Sequence, residues 1–347
     1  GAEVVRMIHT LLGEEQFRAG SDLYFERHDG QAVTTDDFVQ AMEDASGRDL
    51  SQFRLWYSQA GTPELKVSDE YDDQAQRYSL HISQSCPATP GQDEKAPMHI
   101  PVALGLLDTN GNELVLANGA TTDVLDVTDT EQTFVFEGIA TRPVPSLLRG
   151  FSAPVKLHYP YTRDELVFLM SHDSDGFSRW DAAQQLAVDI MQALIKDYQA
   201  GNTLELDTCL IDAYRAVLED STLDKAMVAK VLSLPTEAYL SELASEIDVD
   251  AIHHVRNYVR KAIAEALEDT LVSVYEGCQI AAEYSPDAAS IARRSLKNLC
   301  LSYLLALEEP RYLALAESQY DNADNMTDQS AALALVAHSR FHQAAKK

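Results

Sequence analysis

The sequence predicts a multidomain α and β chain in three parts: a run of helices, a β-sandwich of immunoglobulin-like size, and an α-helical superhelix. Three observations carry this. Apolar residues recur at helical spacing up to Trp56, alternate from Glu64 to Tyr159, and return to helical spacing from Tyr161 onward. The borders of these patterns divide the chain at residues 1–61, 62–160 and 161–347.

Val4, Val5, Ile8, Leu11 and Leu12 form one apolar face, predicting a helix over Ala2–Leu12 that Gly13 closes. A second helix, Glu14–His28, offers Phe17, Leu23 and Phe25 as core anchors. Thr34 with Asp37 three residues on reads as a capping box for a third, with Phe38, Met42 and Ala45 as its buried stripe and Gly47 as its stop. Ser51–Ser58 is the fourth, presenting Phe53 and Trp56-Tyr57; Gly61 is its expected left-handed end, and Pro63 forbids further helix.

Strands are then predicted at Glu64–Ser68, Arg77–Gln84, His99–Leu107, Glu113–Leu116, Asp123–Val127, Gln132–Glu137 and Val155–Tyr159. Asn110-Gly111 marks a hairpin. Short strands at this spacing, with Pro87, Pro90 and Pro97 in one loop, are the pattern of a sandwich.

Thr162 with Glu165 reads as a capping box for a helix to about Met170. Further helices are predicted near Phe177–Ala200, Thr208–Leu218, Leu223–Leu232, Glu237–Ala244, Val249–Gly277, Pro286–Leu307, Pro310–Tyr320 and Thr327–Ala344. The longest aligns Ile252, Val255, Val259, Ile263, Leu267, Leu271 and Val274 on one face and should be the spine of the array. Ser285-Pro286 supplies an N-cap followed by proline in the first turn. The sequence has no fixed repeat period, so the array reads as an irregular solenoid.

Fifty-five acidic residues against 27 basic ones give a net charge of -28. Such a surface repels nucleic acid and anionic lipid, and basic stripes interleaved with aromatics are missing, so nucleic-acid and membrane-surface functions are excluded. A hydrophobic content of 46% excludes a disordered chain. No apolar run approaches the roughly 20 residues of a membrane span. Cys86, Cys209, Cys278 and Cys300 are widely spaced, which fits free thiols in a reducing, cytoplasmic setting.

Catalytic patterns fail one by one. A zinc peptidase helix carries His-Glu-x-x-His, because residues four apart put two imidazoles on one face with a glutamate to activate water. His338 and His342 have the spacing, but Ser339 stands where the glutamate belongs. His253 and His254 are adjacent on a helix and diverge by about 100°. In His172-Asp173-Ser174-Asp175-Gly176, Ser174 or Asp175 caps the next helix and Gly176 turns the chain. Asp108-x-Asn110-x-Asn112 opens like a calcium loop, but Glu113 and Gly119 occupy the positions that need glycine and a bidentate glutamate. The acids of Asp69-Glu70-Tyr71-Asp72-Asp73 read as a solvated turn. No nucleophile elbow and no phosphate-binding glycine loop is present.

Four stretches carry a resemblance. Gly1-Ala2-Glu3-Val4-Val5-Arg6-Met7-Ile8, the Trp-x-x-Gln-x-Gly-x-Pro run Trp56–Pro63, Phe177-Ser178-Arg179-Trp180-Asp181-Ala182-Ala183-Gln184 and Asn325-Met326-Thr327-Asp328 resemble, in that order, segments of the bacterial branch of the gluzincin aminopeptidase N family. The resemblance implies the helical end of a thermolysin-like catalytic domain, a β-sandwich, and the first part of a helical domain. It implies a parent that releases N-terminal amino acids from peptides with one zinc, a glutamate base and a transition-state tyrosine, all upstream of Gly1. No catalytic, substrate-binding or metal position of the family transfers to a residue here, and no cofactor is expected in this chain. The expectation is an excised fragment, inactive alone, with Val4, Ile8 and Leu11 short of cover and prone to self-association. A non-enzymatic interaction protein, binding a partner on its solenoid, is the competing expectation.

Overall fold

A computed structural model of the chain describes residues 1–280 and 284–339. They form two compact units, Gly1–Glu165 with His172–Ser178, and Leu166–Ser171 with the chain from Arg179 onward.

In the first unit, the two helices expected around Gly13 run as one element, α1 (Ala2–His28), broken at Gly13 by a backbone of φ 75° and ψ 168° that glycine takes without steric cost. α2 (Thr35–Ser46) is opened by the expected box: the Thr34 amide and hydroxyl both donate to Asp37 Oδ2 at 2.8 Å. These bonds, the backbone one foremost, hold the Asp37 carboxyl below its ordinary range. Phe17 and Tyr24 of α1 face Phe38 of α2, with ring centroids 6.5 Å and 5.3 Å apart. Phe25, expected in the core, stands one position round the helix from Tyr24 and is 63% exposed.

Ser51–Ser58 divides into a 3-10 turn, Gln52–Arg54, and α3 (Leu55–Ser58). The helix ends earlier than Gly61, at Gln59, whose N–H closes on Leu55 O. The Trp-x-x-Gln-x-Gly-x-Pro run is instead a clasp onto the sandwich. Trp56 Nε1 donates to His99 O at 2.9 Å, Gln59 exchanges two bonds with the Ala96 backbone, and Pro63 O accepts from Lys156 N. Gly61 has φ 101°, and an added Cβ there would sit 2.9 Å from Cys86 Sγ.

The strands are β1 (Glu64–Asp72), β2 (Arg77–Ser85), β3 (Ile100–Leu107), β4 (Asp123–Val127), β5 (Glu131–Glu137), β6 (Val144–Leu147) and β7 (Lys156–His158). They form two sheets, β5-β2-β1-β7 and β4-β3-β6, antiparallel except where β7 runs parallel to β1. Their inner faces share a core, with Leu65, Tyr78, Leu80 and Ile82 from one sheet and Ile100, Val102, Leu104 and Leu147 from the other. That core continues into Met7, Ile8, Leu11, Met42 and Phe53 of the helices, so β3 is buried along its whole length. Ile8 and Leu11 are therefore dry, contrary to the expectation that they lack cover, while Val4 is half-buried.

Two strand expectations change. Glu113–Leu116 is no strand: the hairpin at Asn110-Gly111 returns only far enough for Leu114 N to reach Leu106 O, because β4 occupies the next stretch of β3. β6 was not foreseen, since Pro145 obscures its pattern; it is an edge strand, where proline is tolerated. The acids of the supposed turn from Asp69 to Asp72 belong to β1, and Asp69, 9% exposed, pairs with Arg142 at 3.1 Å.

The second unit is helical. α4 (Arg163–His172) opens with the expected box between Thr162 and Glu165. It is followed by α5 (Gly176–Ala200), α6 (Thr208–Glu219), α7 (Lys225–Val231), α8 (Glu237–Leu243), α9 (Val249–Gly277), α10 (Ala288–Leu305), α11 (Pro310–Asn322) and α12 (Met326–His338). α9 is the spine, packed by α6, α8 and α10. Its buried face runs Ile252, Val255, Val259, Ile263, Leu267 and Leu271, then Tyr275 in place of Val274, beyond a non-helical Leu267. α10 is capped by Asp287, not Ser285: its carboxylate accepts from the Ser290 amide (2.9 Å) and hydroxyl (2.7 Å). Hydrogen bonding from Ser285 and Ser290 holds the Asp287 carboxyl far below its usual range.

Candidate functional site

The residues singled out in the sequence do not converge. His338 turns Nδ1 to Ala334 O at 2.7 Å, within its own helix, and His342 is outside the described residues. His253 lies between Glu237 (2.8 Å) and Asn257 (2.9 Å), while His254 stacks on Tyr198. Asp108 is saturated by its own turn, accepting from Asn110 N, Asn112 N and Asn112 Nδ2, and these bonds, Asn112 first, hold its carboxyl down. All four cysteines are free thiols, Cys278 and Cys300 buried.

Between Asp173 and Gly176 the structure assigns three jobs. Asp175 Oδ1 caps α5 through Ser178 N (2.8 Å) and also accepts from Gly150 N (3.0 Å). Gly176 is the first residue of α5, not a turn, and Ser174 donates to Glu113 (2.6 Å) instead of capping. Asp173 meets Arg149, a residue the sequence reading passed over.

Arg149 is 5% exposed and bridges two carboxylates, Glu113 at 2.8 Å and Asp173 at 3.1 Å. Its Nε donates to Ser146 Oγ (2.9 Å) and Nη1 to Thr122 Oγ1 (2.8 Å). Leu148, Gly150 and Phe151 around it hold φ near 60° (57°, 61° and 57°), a left-handed conformation unfavourable for leucine and phenylalanine. A Cβ on Gly105 would stand 2.1 Å from the guanidinium carbon, so β3 needs glycine there. Burial pushes the Asp173 carboxyl above its ordinary range despite Arg149. For Glu113 burial acts the same way, but Ser174 and Arg149 outweigh it and the carboxyl sits low. With its donors engaged, this cation is a strut, not a reagent.

The second unit holds a cavity of about 660 Å³ where the end of α9 meets α10, α11 and the start of α12. Its floor is a polar network. Asp328, 4% exposed, accepts from Lys297 Nζ (2.5 Å), Asn298 Nδ2 (3.0 Å) and Asn325 Nδ2 (3.2 Å). Gln319 donates to Asn298 Oδ1 and Asp328 O and accepts from Tyr275 Oη. The Asn325-Met326-Thr327-Asp328 stretch is thus both the cap of α12, through Asp328 N to Asn325 Oδ1, and the anchor of this network. Arg293 and Arg294 face the same cavity.

Residues 163–347 match the family described as a domain of unknown function (DUF3458_C) with ARM repeats, residues 61–160 a DUF3458 domain of Ig-like fold, and residues 1–57 the peptidase family M1 domain. Aminopeptidase N of Escherichia coli (strain K12) is 48% identical over 98% of the chain. The chain belongs to the aminopeptidase N family. Aminopeptidase N of Haemophilus influenzae is 42% identical over 97% of the chain. The crystal structure of Legionella pneumophila aminopeptidase A in complex with aspartic acid superposes over 99% of the chain with a TM-score of 0.85 and 32% identity. The chain spans 39% of the length of each of these three proteins. The Ig-like sandwich and the helical array are the family's architecture, as the period switches predicted.

Zinc in a peptidase needs three protein ligands with an open fourth position. Among the described residues no group of three or more His, Cys, Asp or Glu is gathered to hold a metal ion, so they do not fit zinc. Among the described residues, too, no helix is long and apolar enough to cross a membrane.

Proposed function

We infer that this chain is a non-catalytic part of a zinc-dependent aminopeptidase. The whole protein releases N-terminal residues from peptides, while zinc, glutamate base and tyrosine belong to parts this chain does not span. The observation that carries the reading is 48% identity across 98% of the chain to an aminopeptidase N of which it spans only 39%. In this reading the sandwich is a spacer and the helical array is one wall of the chamber that limits which peptides reach the metal. The division at residues 1–61, 62–160 and 161–347 goes with it, supported by the changes of period. Cytoplasmic placement is supported by four free thiols. Metal analysis after exhaustive dialysis against zinc-containing and then zinc-free buffer tests the reading. Less than about 0.1 equivalent of zinc is expected, since a structural or catalytic site retains its metal. Stoichiometric zinc would sink it.

A further inference from the structure

The cavity of the second unit presents two guanidinium groups that, among the described residues, have no carboxylate in ion-pair range. Arg293 Nη2 donates to Ser290 Oγ at 2.7 Å, and Arg294 donates to Ser285 O at 3.1 Å with its Cζ 5.1 Å from the Tyr284 ring centre. Among the described residues neither has an ion-pair partner, although acids outnumber bases two to one. The other cation in the lining, Lys297, is neutralised by Asp328. Asp324, also in the lining, is engaged by Asn325 Nδ2 at 2.9 Å.

We propose that this cavity binds a small molecule bearing an oxyanion, a phosphate or carboxylate, between Arg293 and Arg294. A guanidinium presents a planar fork of donors matched to these groups, and although their residues are adjacent on α10, the long side chains of Arg293 and Arg294 both reach the cavity lining. The volume, about 660 Å³, is in the range of small-molecule sites. Ser285, Ser290 and Asn322 supply neutral hydrogen-bonding groups in the lining, and Tyr284 and Leu315 an apolar wall for the rest of the molecule. The net charge of -28 opposes any anion at long range, so retention depends on close contact with more than one cation.

Calorimetric titration of the chain with pyrophosphate, and separately with succinate, tests this. Saturable binding with a dissociation constant of about 1 mM or tighter is expected for at least one probe. The Arg293→Gln/Arg294→Gln double variant, checked for folding by circular dichroism, should weaken it about tenfold or more. Arg215→Gln, outside the cavity lining, should leave it unchanged. Preference for pyrophosphate supports a phosphate occupant, and preference for succinate a carboxylate. No saturable binding of either probe at about 10 mM, or equal binding by the double variant, overturns the proposal.

Discussion

Arg149→Met should cost the first unit about 3–5 kcal/mol at neutral pH, read as a fall in the urea midpoint of its unfolding transition. Methionine fills much of the side-chain volume, so the loss comes from charge. Asp173, fully buried, and Glu113 lose the cation they share, and Ser146 and Thr122 lose a donor. The deficit should shrink on acidification. Without Arg149 the folded-state pKa of Asp173, already raised by burial, rises further above its unfolded value. A carboxyl so shifted takes up protons more readily folded than unfolded, so the variant regains stability as pH falls through that raised pKa. A cost below about 1 kcal/mol, or one independent of pH, would contradict the strut role.

Asp328→Ala should destabilise the second unit by about 3–5 kcal/mol, because it strands Lys297, only 14% exposed, and removes an acceptor from Asn298 and Asn325. Asp328→Asn keeps one acceptor oxygen, enough for Asn298 on one side or for Lys297 and Asn325 on the other, and should cost less, about 1–3 kcal/mol. Amide hydrogen exchange gives the local reading: α12 should lose protection first, since Asp328 joins its first turn to α10 and α11. Unchanged protection of α12 in Asp328→Ala would show that apolar packing alone holds it.

What the sequence made legible was local. Gly47 and the Thr34 and Thr162 boxes act through partners a few residues away, and α9 kept its expected bounds because one apolar face runs its whole length. Errors fell where distant chain decides. β6 is a strand only because one edge of β3 is offered to Val144–Leu147, and Glu113–Leu116 is not one because β4 takes the other edge. Arg149 gave no signal at all: its carboxylate partners, Glu113 and Asp173, sit on segments separated in sequence, and nothing in Leu148-Arg149-Gly150-Phe151 announces a buried cation. Asn325–Asp328 was noticed for its resemblance, but its link to Lys297 and Gln319 needed the helices in place.

The proposed function places the family's framework in this chain and its chemistry in parts the chain does not span. Hydrolysis of an alanyl or lysyl chromogenic amide by the purified chain with added zinc tests it most directly. The account predicts no turnover above the zinc-only blank. Zinc-dependent turnover that survives repurification and is abolished by His338→Ala or His342→Ala would contradict it.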